Sequence, residues 1–293
     1  MPDPADPTAT LPPDSRIGRV TLAVNDLPAL TSFYRAALGL TVLGEGEGWV
    51  ELGTAEAHLV RLETTAEREW HPGSPGLYHL AVVLPGRPAL GAWLRTALER
   101  GTPLQGAADH AVSEAVYLAD PEGNGIEVYR DRPRERWQVR DGTVTMTTEP
   151  LDAADLLADA APSWDSAPAA TRIGHVHLQV SDLERSTAFY ASLGLSRTND
   201  RVPGACFLAA GGYHHHLGLN TWGVRRHAAP ARRSGAPGLR RFEVLVPEGR
   251  AAEEAAARLT ATGVAVRRRQ DGFDATDPDG LGVRVRGPGD GTS

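Results

Sequence analysis

The feature that most constrains the fold of this 293-residue chain is an internal duplication. The run RIGRVTLAVNDL at 16–27 returns 156 residues later as RIGHVHLQVSDL at 172–183. In each run apolar residues alternate with other residues, as in a β-strand, and the last residues are typical of the start of a helix. In each half a second strand and helix follow, beginning at Gly76 and Gly238, and the half ends in a strand after an Asp-Pro turn. The pattern predicts four modules of one strand, one helix and three strands, which we number one to four.

The duplication also sets the expected domain limits. Residues 16–134 are expected to form a first domain from modules one and two, and 171–286 a second from modules three and four. The remaining segments are expected to be a flexible tail at 1–15, a linker at 135–170 and a second tail at 287–293.

Composition excludes several classes of function. The net charge of −7 and the scattered arginines argue against nucleic-acid binding. No run of about 18 apolar residues is present, so no transmembrane helix is predicted. The amino terminus lacks the pattern of a signal peptide, and a cytoplasmic protein is expected. Cys206 is the single cysteine, so a metal would be held by histidine and carboxylate groups.

Three consecutive histidines stand out in the run GGYHHHLGLN at residues 211–220. The alternating Leu-Gly-Leu that follows them predicts that His214, His215 and His216 lie within a strand, the last of module three. An internal position between apolar neighbours makes this run the first place to look for chemistry.

These motifs resemble the vicinal oxygen chelate superfamily, which includes glyoxalase I, the bleomycin-resistance proteins and the extradiol catechol dioxygenases. The resemblance extends over 16–286 and rests on the two duplicated runs, on GLYH at 76–79 and on DPEGNGIEVY at 120–129. The run GGYHHHLGLNTW is most similar to two-domain catechol 2,3-dioxygenases of the Bacillus type. The resemblance implies an α+β fold in which four βαβββ modules form two vicinal oxygen chelate domains with curved mixed sheets.

The resemblance also implies a metal site with two histidines and one glutamate. Module two offers His79 and Glu127 at the ligand positions, and module three offers His175. His177, two residues further along, is an alternative to His175.

Modules one and four do not complete a triad. They carry arginines at ligand positions (Arg19, Arg241 and Arg284), and arginine cannot be deprotonated to bind a metal. We therefore expect modules two and three to pair around one site, within a chain or across a dimer, and modules one and four to form an empty pseudo-site. The alternative is that module one pairs with module two and module three with module four. In that case the histidines at the ligand positions would have a structural role.

Three further residues match the family's substrate pocket. His110 lies 31 residues after His79 and Tyr117 lies ten before Glu127, so both are assigned to the pocket. The acid–base histidine is expected in the triple run. Strand alternation would direct His214 and His216 to one face, whereas the family pattern aligns with His215, which we favour.

The implied activity is extradiol cleavage of catechol by O₂ to 2-hydroxymuconic semialdehyde at a non-haem Fe(II) site, with Mn(II) as the alternative metal. The partners are a small aromatic diol and O₂, and a homodimer is expected. Two rivals stay open: another metal-dependent member, such as a hydroquinone-cleaving dioxygenase or an isomerase, and a metal-free protein that sequesters a small molecule. The sequence leaves open the substituents on the catechol.

Overall fold

The computed structural model of the chain describes residues 10–64, 73–224 and 236–288. Within these residues it has the predicted α+β architecture, with two mixed sheets of eight and nine strands, a two-stranded ribbon and five α-helices. None of the described helices is long and apolar enough to cross a membrane. Of the predicted tails, 1–9 and 289–293 lie outside the described residues.

The chain divides into two compact units. One contains Arg19–Arg68 and Tyr78–Gly174, and the other contains the rest of the chain. The predicted limits of the two domains and of the linker stay predictions.

Modules one and two have the predicted order of elements. Module one comprises β1 (Arg16–Val24), α1 (Leu27–Leu38), β2 (Thr41–Gly46), β3 (Trp49–Gly53) and β4 (His58–Thr64). Module two comprises β5 (Gly76–Val83), α2 (Arg87–Glu99), β6 (Leu104–Asp109), β7 (Ser113–Ala119) and β8 (Gly125–Asp131). In each module the first strand runs parallel to the last, and each of the three later strands is antiparallel to the next.

The segment between the two copies is docked on module two. It comprises β9 (Val139–Arg140), β10 (Thr143–Val144), β11 (Glu149–Pro150) and α3 (Ala153–Ala158). Strand β11 pairs antiparallel with β6. Helix α3 approaches α2 so closely that a Cβ on Gly91 would lie 2.6 Å from the carbonyl oxygen of Leu156. Arg87 at the start of α2 forms an ion pair with Asp155 at 2.7 Å.

Modules three and four repeat the same arrangement. Module three comprises β12 (Arg172–Gln179), α4 (Leu183–Leu193), β13 (Ser196–Asn199), β14 (Ala205–Ala209) and β15 (Leu217–Asn220). Module four comprises β16 (Gly238–Leu245), α5 (Gly249–Ala261), β17 (Arg267–Arg269), β18 (Gly272–Thr276) and β19 (Gly282–Arg286). The first strand is again parallel to the last. Leu11, within the predicted tail, is buried and donates its main-chain N–H to the carbonyl oxygen of Gly194 at 2.8 Å.

The duplicated run produces the same helix boundaries in both copies. The carboxylates of Asp26 and Asp182 each cap a helix by accepting a main-chain N–H, at 2.9 and 3.0 Å. Gly39 and Gly194 end these helices in the left-handed conformation, with φ of 68° and 112°. The helices therefore start where the sequence predicts, and both end at a glycine.

Candidate metal centre

His79 and Glu127 lie side by side on neighbouring parallel strands of module two. The register pairs His79 with Gly125 and Ala81 with Glu127, so the two side chains project from the same face of the sheet. Gly125 is required here, because a Cβ would lie 2.2 Å from the carbonyl oxygen of Tyr78. The His79 Nε2 and Glu127 Oε2 atoms are 3.1 Å apart, and the side chains are 9% and 4% exposed.

His175 completes a group of three possible metal ligands. It lies on β12 and is 1% exposed. One ligand atom from each of His79, Glu127 and His175 lies within 4.8 Å of the other two. Two imidazole nitrogens and one carboxylate oxygen suit Fe(II) or Mn(II) and leave coordination positions open. The separation of 3.1 Å also fits adjacent ligands, because two atoms each about 2.1 Å from an ion lie about 3 Å apart at a right angle.

The corresponding positions of module one hold an ion-pair network. Arg19 occupies the position of His79, and the register of β1 with β4 places Arg61 where module two has Glu127. The sequence reading missed Arg61, because its position depends on strand register. Both arginines contact Glu51, Arg61 at 2.8 Å, and His58 Nδ1 lies 2.9 Å from the same carboxylate. Burial raises the pKa of Glu51, but Arg61, Arg19 and His58 lower it more, and the net pKa is below its ordinary value.

Module four also carries paired charges at the ligand positions. Arg241 and Arg284 lie where module two has His79 and Glu127. The Arg284 Nε atom lies 3.1 Å from Asp274 Oδ1. The arginines predicted to exclude a metal from modules one and four are therefore engaged with carboxylates at two of the three positions, Arg19 and Arg284.

His110 and Tyr117 are hydrogen-bonded to each other beside the His79–Glu127 pair. His110 Nε2 lies 2.5 Å from the Tyr117 hydroxyl, and His110 Nδ1 lies 2.6 Å from the carbonyl oxygen of Thr147. Tyr117 is opposite Glu127 in the pairing of β7 with β8, and its ring centroid is 5.9 Å from that of His79. Burial, followed by the charge of Glu127, raises the pKa of Tyr117 far above its ordinary value, so the phenol stays protonated.

The triple histidine run is not part of a strand, and that prediction is wrong. Strand β15 begins at Leu217, after the run, because Gly211 and Gly212 adopt positive φ angles of 59° and 66° and turn the chain just before it. Strand alternation therefore does not apply to His214, His215 and His216, and all three are buried.

Of the histidines in this loop, His215 lies close to His175. Their ring centroids are 4.1 Å apart, and the ring of His214 lies 6.1 Å from that of His175. The Nδ1 atoms of His214 and His215 are 2.8 Å apart, so one of them donates and the other accepts. His216 Nδ1 accepts the main-chain N–H of Ala210 at 3.1 Å. The family alignment with His215 stays a prediction.

His177, the alternative ligand, is bound to Asn220. The Asn220 side-chain oxygen Oδ1 accepts the main-chain N–H of Trp222 at 3.0 Å, so the Asn220 side-chain nitrogen Nδ2 faces His177 Nε2, also at 3.0 Å. The His177 ring packs over Gly218, where a Cβ would come within 2.8 Å of it. Gly218 occupies in module three the position that Glu127 occupies in module two. Module three therefore offers no carboxylate at that position.

Sequence comparison relates the chain to known dioxygenases. The model of the family described as Glyoxalase/Bleomycin resistance protein/Dioxygenase superfamily matches residues 16–128 and 172–285. Catechol-2,3-dioxygenase of Bacillus subtilis is 40% identical over 273 residues, which cover 90% of this chain and 94% of that protein. Biphenyl-2,3-diol 1,2-dioxygenase 3 of Rhodococcus globerulus is 30% identical over 123 residues, 40% of this chain and 63% of that protein.

Solved structures share the fold at lower identity. A Bacillus subtilis protein provisionally assigned as a dioxygenase has a TM-score of 0.65 at 15% identity, covering 96% of this chain and 87% of its own. Glyoxalase I from Zea mays has a TM-score of 0.57 at 17% identity, covering 94% of this chain and 92% of its own. These comparisons confirm the fold and the family resemblance read from the sequence.

Proposed function

Because the chain belongs to the Glyoxalase/Bleomycin resistance protein/Dioxygenase superfamily, we propose that it is an extradiol dioxygenase that cleaves catechol with O₂ to 2-hydroxymuconic semialdehyde. The observation that carries the proposal is the buried group of His79, Glu127 and His175. The 40% identity to a protein named catechol-2,3-dioxygenase supports it independently.

The proposed metal is Fe(II), with Mn(II) as the alternative, held by His79, Glu127 and His175. Such an ion, when bound, supplies Lewis acidity toward a coordinated diol and a redox partner for O₂. The three-residue set favours this chemistry over an isomerase of the same superfamily, for which the family resemblance implies a fourth protein ligand.

The proposed roles of the other residues follow from their hydrogen bonds. His215, whose ring lies beside that of His175, would take the proton from the catechol hydroxyl and return it later, because an imidazole has a suitable pKa near neutrality. The Tyr117 phenol remains protonated, and because its single O–H is directed at His110, its oxygen can accept a hydrogen bond from a substrate hydroxyl. His110 holds the Tyr117 hydroxyl in place. The three proposed ligands are themselves buried.

The proposed ligands come from two modules, since His79 and Glu127 belong to module two and His175 to module three. We propose a homodimer that acts in the cytoplasm on a small aromatic diol. A hydroquinone-cleaving dioxygenase at the same site stays an alternative, and a metal-free binding protein is a further rival, which predicts that the three residues bind no ion.

The test is metal content together with ring cleavage. Anaerobically purified wild-type protein should hold about one Fe(II) per chain, as one three-residue site allows, and should turn catechol yellow only when O₂ is present. His175→Ala should lose both the metal and the product. His58→Ala is the matched control, because His58 is a half-exposed histidine of module one, and both properties should persist in it. A folded wild-type protein with neither metal nor product would contradict the proposal and leave the binding protein standing.

A further inference from the structure

The segment between the two copies contributes directly to the surroundings of the proposed site. Its residue Thr147 and the pocket residue His110 bind each other reciprocally. The main-chain N–H of Thr147 donates to the carbonyl oxygen of His110 at 3.2 Å, and the Thr147 carbonyl oxygen lies 2.6 Å from His110 Nδ1. The Thr147 hydroxyl also donates to the Asp109 carbonyl oxygen at 3.3 Å. Just beyond, Glu149 pairs with Asp109 in the ladder of β11 with β6.

These contacts decide which nitrogen of His110 carries a proton. A main-chain carbonyl oxygen accepts hydrogen bonds but cannot donate them, so Nδ1 of His110 must be the donor to Thr147. Nε2 is then the atom directed at the Tyr117 hydroxyl, 2.5 Å away. The carbonyl thus fixes both the tautomer of the ring and its direction.

The His110 main chain is held as firmly as its ring. Its N–H donates to the carbonyl oxygen of Ser113 at 2.9 Å, which closes the turn between β6 and β7. The next residue, Ala111, has a φ of 66°, which is unusual for alanine, and its N–H donates to the Asp109 carboxylate at 2.9 Å. Arg132 also contacts the Asp109 carboxylate, so a residue beyond β8 secures the turn. Thr147 contacts this turn from outside module two.

We propose that Thr147 is a positioning residue. Its main-chain carbonyl holds His110 in the Nδ1–H form, so that Nε2 accepts the O–H of Tyr117 and thereby orients the Tyr117 oxygen toward the substrate. The inference rests on the proposed function for its catalytic consequence, but the tautomer can be measured without any reaction. The segment between the two copies would then contribute to catalysis as well as connecting the copies.

The experiment compares two substitutions at the same residue. Thr147→Pro removes the N–H that donates to His110 and so weakens the reciprocal pair. Thr147→Val keeps both main-chain groups and loses only the hydroxyl, and serves as the matched control. The His110 ring nitrogens are observed by NMR in the ¹⁵N-histidine-labelled, metal-free full chain, with His110→Asn used to identify their signals. Catechol cleavage is measured in the iron-loaded proteins.

The wild type and Thr147→Val should show a protonated Nδ1 throughout the pH range in which the protein is folded. Thr147→Pro should populate the Nε2–H form and lose about 10- to 100-fold in kcat, with a smaller change in KM, while Thr147→Val should stay within about twofold. If Thr147→Pro does not fold, Thr147→Gly makes the main chain at this position more flexible while keeping both of its main-chain groups, and should lower kcat by about two- to fivefold.

An Nε2–H form of His110 in the wild type would overturn the inference, as would equal kcat in wild type and Thr147→Pro. A wild type that shows the Nδ1–H form but cleaves no catechol would overturn the proposed function instead, and the positioning of the ring would stand.

Discussion

Asp120 and Asp277 are buried carboxylates that begin the Asp-Pro turns of modules two and four. Asp120 accepts the hydroxyl of Tyr34 at 3.1 Å, and Asp277 accepts the hydroxyl of Tyr190 at 2.9 Å. Each also accepts a main-chain N–H from within its own turn. The aspartate thus ties the turn of one module to the first helix of the module before it, which explains why both copies carry the same residue types.

Burial is costly for the charged form of such a carboxylate. Burial raises the pKa of Asp277 to about 6, and the charge of Asp279 raises it further by a smaller amount. The hydrogen bonds that Asp277 accepts from Leu281, Tyr190 and Asp279 lower the pKa but do not outweigh burial. A carboxylate whose pKa is higher in the folded than in the unfolded state binds a proton on folding. Its contribution to stability is therefore present at low pH and is lost as the pH rises through about 6.

We predict that Asp277→Asn removes this pH dependence. The wild-type free energy of unfolding should gain about 1 kcal/mol from Asp277 between pH 7.5 and pH 5.5, and the variant should lack that gain because asparagine does not titrate. Urea unfolding of both proteins at the two pH values measures the difference. All other titrating groups are common to both, so equal pH dependence in the two proteins would contradict the raised pKa.

At the scale of the elements, the glycine in the Ile-Gly pair that opens β12 reflects a close approach between strands. A Cβ at Gly174 would lie 1.8 Å from the hydroxyl oxygen of Tyr129, a fully buried residue of β8. Gly76, the first residue of β5, has no atom within 4 Å of where its Cβ would be. The two glycines therefore differ in structural role, although both lie near the start of the first strand of a module.

Gly174→Ala should lower the free energy of unfolding by about 1–3 kcal/mol, because the new methyl group cannot fit without shifting Tyr129. Adding Tyr129→Phe should recover part of the loss, since it removes the atom nearest to the methyl group. Gly76→Ala is the matched control and should stay within about 0.5 kcal/mol. Denaturant unfolding measures all four proteins, and a Gly174→Ala variant as stable as Gly76→Ala would show that the strands separate easily.

Local signals explain which elements the sequence could predict. The helix after β1 was predictable because Asp26 and Gly39, a capping aspartate and a left-handed glycine, lie next to it in the chain. The place of the triple histidines was not, because the Gly211–Gly212 turn was indistinguishable in sequence from the start of a strand. The contact of Thr147 with His110 was equally hidden, since it joins a main-chain carbonyl to a side chain 37 residues away.

At the scale of the whole molecule, four copies of one scaffold carry different chemistry at the same register. The position of Glu127 is occupied by arginine in modules one and four and by glycine in module three. The position of Tyr117 is occupied by the acids Glu51 and Asp274 in modules one and four. In modules one and four, a guanidinium group paired with a carboxylate therefore occupies the place where a metal ion would need anionic or neutral ligands. We therefore expect one metal site per chain.

If each chain has one metal site, the metal should change the free energy of unfolding through a single set of ligands. Binding to the folded state alone stabilises it by about 2.7 kcal/mol when the free metal exceeds Kd by 100-fold. We therefore predict that Mn(II), added under these conditions, raises the free energy of unfolding of the chelator-treated wild type by about this amount. His175→Ala should show no comparable gain, because it leaves two ligands in place of three.

Arg241→Ala provides the control that locates the effect. Arg241 occupies in module four the position of a ligand but cannot bind a cation, so its removal should leave the metal-induced gain unchanged, whatever it does to the metal-free protein. Urea unfolding of the three proteins, each with chelator and with Mn(II), gives the gain as a difference within one protein. A gain that persists in His175→Ala, or one that Arg241→Ala abolishes, would place the metal outside the His79–Glu127–His175 group.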